Sequence, residues 1–83
     1  MNAIQTVSAN TVNTDALMFK PNKRSLPSVQ VESIEDAARK WERYRYAMVI
    51  AGNGGVSQIG NGGTVYSTQG ILARISYNGR IAA

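Results

Sequence analysis

No cysteine and no histidine occur among the 83 residues. Without cysteine, no disulfide staples the fold. Without either residue type, the usual ligand sets for zinc, copper, haem and iron–sulfur clusters are missing. The same two absences exclude the Ser-His-Asp triad, the cysteine nucleophile and the histidine acid–base. No apolar run approaches about 18 residues, so no membrane-spanning segment is expected. The opening stretch, residues 1–19, has no basic region followed by an apolar one, so a secretory signal is not expected either. A cytoplasmic location follows as the default, and the absence of cysteine agrees with it.

Acidic residues are also missing from one half of the chain. The five acids are Asp15, Glu32, Glu35, Asp36 and Glu42, and none follows Glu42. The later half keeps Arg43, Arg45, Arg74 and Arg80, and the net charge is +4. Such asymmetry favours an anionic partner, either nucleic acid or an acidic protein face. A small protein also needs some net charge simply to remain soluble.

A chain of this length makes one domain and buries only about 60–65% of its unfolded surface. Dimerisation or docking on a larger partner would add buried area. Residues 1–26 are rich in Asn, Thr and Ser and hold no sustained period. They read as an arm, partly disordered or adding an edge strand. Within it, residues 15–19 suit a short strand or a helical turn. The cluster Lys20, Lys23 and Arg24 reads either as a phosphate contact or as a solvated basic turn.

Residues 27–83 read as a single α+β domain. Ser28–Glu32 alternates polar and apolar after Pro27, which predicts a strand with Val29 and Val31 facing the core. Ser33 then opens the clearest helix. Its hydroxyl can cap the amide of Asp36, and Glu35 and Asp36 suit the positive end of the helix dipole. Ile34, Ala37, Ala38, Trp41, Tyr44 and Met48 recur at three- and four-residue spacing and form one apolar stripe. Glu35–Arg39 and Asp36–Lys40 are i,i+4 pairs, each expected to add ~0.3–0.5 kcal/mol. Gly52 is the expected stop, placing the helix end near Ala51.

The tetrad Gly-Asn-Gly-Gly follows twice, at residues 52–55 and 60–63. A phosphate-binding loop precedes its helix, so that helix amides aim at the anion. Here the glycines follow the helix, and no Gly-Lys-Ser/Thr is present. They are expected to form a mobile connector, with Val56 and Ile59 pinning its middle to the core. Residues 64–67, 68–70 and 71–77 read as strand, turn and strand. Ile71, Ala73, Ile75 and Tyr77 would share one face, and Leu72, Arg74 and Ser76 the other. Asn78-Gly79 signals a hairpin. A two-residue loop there would pair Tyr77 with Arg80 and put Arg80 on the Ile75 face, an untidy register, so the alternative is that Asn78-Gly79 makes only a terminal turn. The expected order is β-α-β-β, with room for an extra strand from the N-terminal arm or the C-terminal end: one helix on a small antiparallel sheet, in two layers.

No enzyme is expected. Paired carboxylates for glycoside hydrolysis need a cleft between two acids, and the acids here lie in or beside the first turns of the helix. Lys40 as a Schiff-base amine would need burial, and its neighbours are charged. No cofactor and no metal are expected. Binding chemistry remains. Arg39 and Arg43 lie one turn apart on the helix, and Arg74 and Arg80 lie on or beside the hairpin. Tyr46, Tyr66 and Tyr77 add amphipathic rings, while Trp41 and Tyr44 suit the core. Arginine with tyrosine serves phosphate contact and base stacking, and it equally serves protein interfaces. The candidate binding set is Arg39, Arg43, Arg74, Tyr77 and Arg80.

The run Gly62-Gly63-Thr64-Val65-Tyr66, followed by Gly70 to Arg80 (GILARISYNGR), resembles the tail of short proteins carried by bacterial phages, plasmids and other mobile elements. Those proteins also place a strand and an acid-started helix upstream, and the resemblance spans roughly the last fifty-five residues. They tend to carry an aromatic residue where this chain has Ala82. The resemblance implies no site residues. It does imply a setting: small mobile-element proteins without catalytic groups often act by occupying a host complex, as anti-CRISPR proteins do. The expectation is a non-enzymatic protein in the bacterial cytoplasm that binds and inhibits a host protein or nucleoprotein complex, such as a CRISPR–Cas effector. The alternative is a basic nucleic-acid-binding module. Dimerisation through a sheet edge is a lesser option.

Overall fold

The computed structural model describes residues 16–82. The expectations for residues 1–15 lie outside the described residues. Five strands and two helices follow in the order β1 (Leu17–Pro21), β2 (Val29–Val31), α1 (Ile34–Ile50), α2 (Val56–Ile59), β3 (Gly63–Ser67), β4 (Gly70–Ile75) and β5 (Ile81–Ala82). The strands form one antiparallel sheet in the order β2-β1-β3-β4-β5. Helix α1 packs across one face, giving the expected two-layer α+β domain.

The first correction concerns β1. It is an inner strand between β2 and β3, not an edge strand on a separate arm. Its inward Phe19 is 2% exposed and pairs across to Val65, which pairs in turn with Ala73. A neighbouring row runs Pro21, Gly63, Ile75, Ile81. These rows meet the helix residues Ala37, Ala38 and Trp41 in one core. Gly63 lies in the row beside Phe19, and a Cβ there would sit 2.6 Å from the Phe19 ring. Only glycine leaves room for that ring.

Helix α1 starts where its cap predicts. The Asp36 amide donates to Ser33 Oγ at 2.9 Å. The return bond is displaced by one residue: Asp36 Oδ2 accepts from the Glu32 amide at 3.0 Å, because the short aspartate reaches that N–H. The expected Glu35–Arg39 pair does not form. Arg39 instead lies 3.6 Å from Asp36, which also holds Lys40 at 3.1 Å. The helix ends at the expected place. The Gly52 amide donates to the Val49 carbonyl and the Asn53 amide to the Met48 carbonyl, a Schellman pair.

The glycine-rich connector holds one helical turn, α2. Ile59 is fully buried, as expected, while Val56 is 52% exposed and does not reach the core. Val29 is a similar correction. It shares the inward face with Phe19, yet it is 41% exposed. Val31 lies under the start of the helix. The helix then runs towards the β4–β5 hairpin and leaves the corner at Val29 uncovered.

The β3–β4 pair carries a bulge between Val65 and Tyr66. Val65 pairs with Ala73, but Tyr66 pairs with Ile71, so Leu72 is the extra residue. Ile71 therefore leaves the Ala73 face expected for it and joins Tyr66 on the open face, 60% exposed.

Two measurements check this packing. Ile59→Ala is expected to cost about 2–5 kcal/mol in urea unfolding, and Val56→Ala less than about 0.5 kcal/mol. The Asp36 carboxyl is held below its ordinary 3.8, first by the Glu32 amide bond and then by Lys40. Its stabilising effect is therefore present above the unfolded value and is lost as pH falls through the lower folded value. In acid titrations followed by circular dichroism, Asp36→Asn is expected to flatten the loss of stability below about pH 4.

Candidate functional site

Residues 76–80 decide where the two hairpin arginines go. The Gly79 amide donates to the Ser76 carbonyl at 2.9 Å, and the Ser76 amide donates to the Arg80 carbonyl at 2.9 Å. The loop therefore has three residues, Tyr77 to Gly79, and Ser76 faces Arg80. The Arg80 amide also reaches Ser76 Oγ at 3.0 Å. Gly79 has φ +87°, the left-handed residue that such a loop requires. A Cβ there would also meet Glu42 Cγ at 2.6 Å. Asn78-Gly79 thus makes neither a two-residue loop nor a mere terminal turn, but part of a three-residue hairpin loop. Arg80 moves from the Ile75 face to the Ser76 face, which is also the face of Arg74.

Arg74 lies between the buried residues Ala73 and Ile75, so it points away from the helix. Arg74 and Arg80 line a depression of about 290 Å³ together with Asn22, Asn61 and Ser76. The Asn22 side-chain amide donates to the Asn61 carbonyl at 3.0 Å and closes one wall. Among the described residues no carboxylate lines the depression and neither arginine has a salt-bridge partner. Two guanidinium groups with amide and hydroxyl neighbours suit a phosphate or carboxylate oxygen.

The other three candidates lie elsewhere. Arg39 and Arg43 are exposed on the outer side of α1, on the opposite side of the two-layer domain from Arg74. Arg39 is already beside Asp36. Tyr77 is half-buried and engaged. Its carbonyl accepts from Trp41 Nε1 at 2.8 Å, and its hydroxyl donates to the Gly54 carbonyl. Its ring meets Trp41 edge-on at 6.3 Å, and the Arg45 guanidinium covers it at 5.3 Å. Tyr77 therefore holds the hairpin to the helix, and Arg45, unassigned by the sequence, supports it. An arginine four residues after Trp41 was the available signal.

The basic turn is also engaged. The Lys20 ammonium donates to the carbonyls of Lys23, Arg24 and Leu26, which uses its three protons. Lys23 donates to the Ser57 carbonyl at 2.9 Å. These lysines shape loops rather than offering a free phosphate site.

A second concavity of about 280 Å³ opens at the uncovered corner, between Phe19, Leu26, Pro27, Val29, Trp41 and Tyr44. It is apolar, and the Lys40 at its rim is paired with Asp36. Sequence reasoning missed it because a period-two strand gives no sign that half its inward face is bare. Among the described residues no group of three or more acids could hold a metal ion, and no helix is long and apolar enough to cross a membrane.

Comparison of the chain with protein-family models, curated proteins and solved structures gives no match.

Variants separate framework from surface. Tyr77→Leu is expected to lower stability by about 1–3 kcal/mol in thermal unfolding, because it strips a buried hydroxyl contact and an aromatic contact. Arg80→Ala is expected to change it by less than about 0.5 kcal/mol.

Proposed function

We propose that this chain is a small non-enzymatic accessory protein of a phage or other mobile element that binds and inhibits a host nucleoprotein complex, such as a CRISPR–Cas effector. The observation that carries this reading is the pairing of Arg74 and Arg80 at one depression whose described lining residues include no carboxylate. Two guanidinium groups on one sheet face, with no ion-pair partner among the described residues, make a surface that recognises anions and repels other cations. The four described acids support the same reading by their position. Glu32, Glu35, Asp36 and Glu42 all lie on α1 or just before it, away from that face. The resemblance read in residues 62–66 and 70–80 is part of this proposal, and with it come the accessory role and a site of action in the bacterial cytoplasm.

The depression offers no nucleophile poised beside a base, and the framework residues around Tyr77 serve packing. Binding is thus the chemistry that the surface favours. Arg39 and Arg43 make a separate cationic strip on the helix, suited to a peripheral contact.

Guide-loaded CRISPR effectors of several types, immobilised and washed at moderate salt, test the proposal. The wild-type protein is expected to be retained by at least one type and to reduce its target cleavage. The double variant Arg74→Glu/Arg80→Glu, checked for folding by circular dichroism, is expected to lose both effects. Absence of retention and of inhibition across the types would sink the idea.

A further inference from the structure

The anion that the open face meets has a narrower description, and it rests on the binding reading above. We infer that the face of the sheet opposite α1 is a platform for a few nucleotides of single-stranded nucleic acid, with bases seated around Tyr66 and phosphates at Arg74 and Arg80.

Tyr66 lies on β3, the central strand, and alternation with the buried Val65 turns it to the open face. Its hydroxyl shares a 2.8 Å hydrogen bond with Ser28 Oγ, which holds the ring in one orientation. Met18 is its partner on β1 and Ile71 its partner on β4. The bulge that brought Ile71 to this face also leaves Leu72 there, 38% exposed. A half-buried aromatic ring thus lies on this face beside the exposed Ile71 and Leu72.

One step along the sheet, Thr64 pairs with Arg74, and Arg74 pairs with Ala82. Two residues along a strand span ~7 Å, so the ring and the first arginine sit within the reach of neighbouring nucleotides. Arg80 follows across the hairpin, and Asn22, Asn61 and Ser76 complete the depression. The face therefore grades from aromatic and apolar to cationic, with no described carboxylate on it. Glu42, the acid nearest the turn, approaches Gly79 from the helix side.

This gradient distinguishes among polyanions. A duplex hides its base faces and offers phosphates alone, so it would use the arginines and leave Tyr66 idle. An acidic protein face would do the same. A single strand exposes both parts, and base–aromatic stacking with phosphate contact is its characteristic mode of recognition. Among the described residues no helix lies on this face to enter a groove, which further disfavours duplex readout.

Fluorescence anisotropy tests the inference, using labelled single strands of about 12 nucleotides, the matching duplex and labelled polyglutamate. Titrations run between about 50 and 200 mM salt. Single strands, DNA or RNA, are expected to bind at least about tenfold more tightly than the duplex. Arg74→Ala and Arg80→Ala should each reduce the salt slope by about 1. Tyr66→Leu should weaken binding about 5- to 100-fold without changing the slope, and Tyr66→Phe should retain most of it. Circular dichroism confirms the fold of each variant. Equal or tighter duplex binding overturns the inference, as does a Tyr66→Leu variant that binds like wild type. If polyglutamate binds through the arginines and no nucleic acid binds, this inference falls while the anion-binding reading stands. If neither binds and guide-loaded effectors are not retained, both fall.

Discussion

The hydrogen bond from the Trp41 indole to the Tyr77 carbonyl joins the two layers, and the rest of the arrangement depends on it. A buried indole N–H needs a partner, and Trp41 is 1% exposed. The partner is supplied by the turn of the β4–β5 hairpin. The bond therefore sets where the helix crosses the sheet. Around it, Phe19, Tyr44 and Tyr77 pack against the same indole at centroid distances of 6.2, 6.0 and 6.3 Å. Helix, inner strand and hairpin are thus tied at one residue. The direction of crossing also explains the bare corner at Val29, since a helix drawn to the hairpin does not cover the β2 edge.

Two local irregularities then sort the surface. The three-residue loop at Tyr77 to Gly79 shifts the register by one residue, and that shift brings Arg80 round to Arg74. A side-chain period of two means that a one-residue change moves every following side chain to the other face. The bulge at Leu72 does the same to Ile71 and delivers it beside Tyr66. The open face owes its mixed apolar and cationic character to these two departures from regular pairing. Glycine supports both parts of the architecture by what it lacks: Gly63 yields space to Phe19, and Gly79 adopts the left-handed turn.

The sequence pattern was most informative where the interactions are local. The Ser33 cap, the Trp41 stripe and the Gly52 stop depend on residues within a few positions, and the structure shows each of them. The order of helix and glycines removed a phosphate-binding loop, again by local reasoning. Strand positions were less legible. β1 holds few residues and no clear period, so its inner place became visible only through its partners Val29, Val65 and Ile75's neighbour Gly63. Of the candidate binding residues, Arg74 and Arg80 come together, Arg39 and Arg43 lie on the other side, and Tyr77 is spent on the framework. Tyr66 could be named as an amphipathic ring, but nothing in its neighbours along the chain placed it on the same sheet face as Arg74, eight residues on.

Residue types and short spacings alone determined the α+β class, the helix with both its ends, and the concentration of acids before residue 43. These follow from backbone propensity, capping and charge count, all of which act within a turn or two. Tertiary structure decided the sheet order, the faces of Ile71 and Arg80, and the exposure of Val29. Those outcomes depend on pairing between distant strands, where the stability of one register over another comes from what the whole core can bury and not from any single segment.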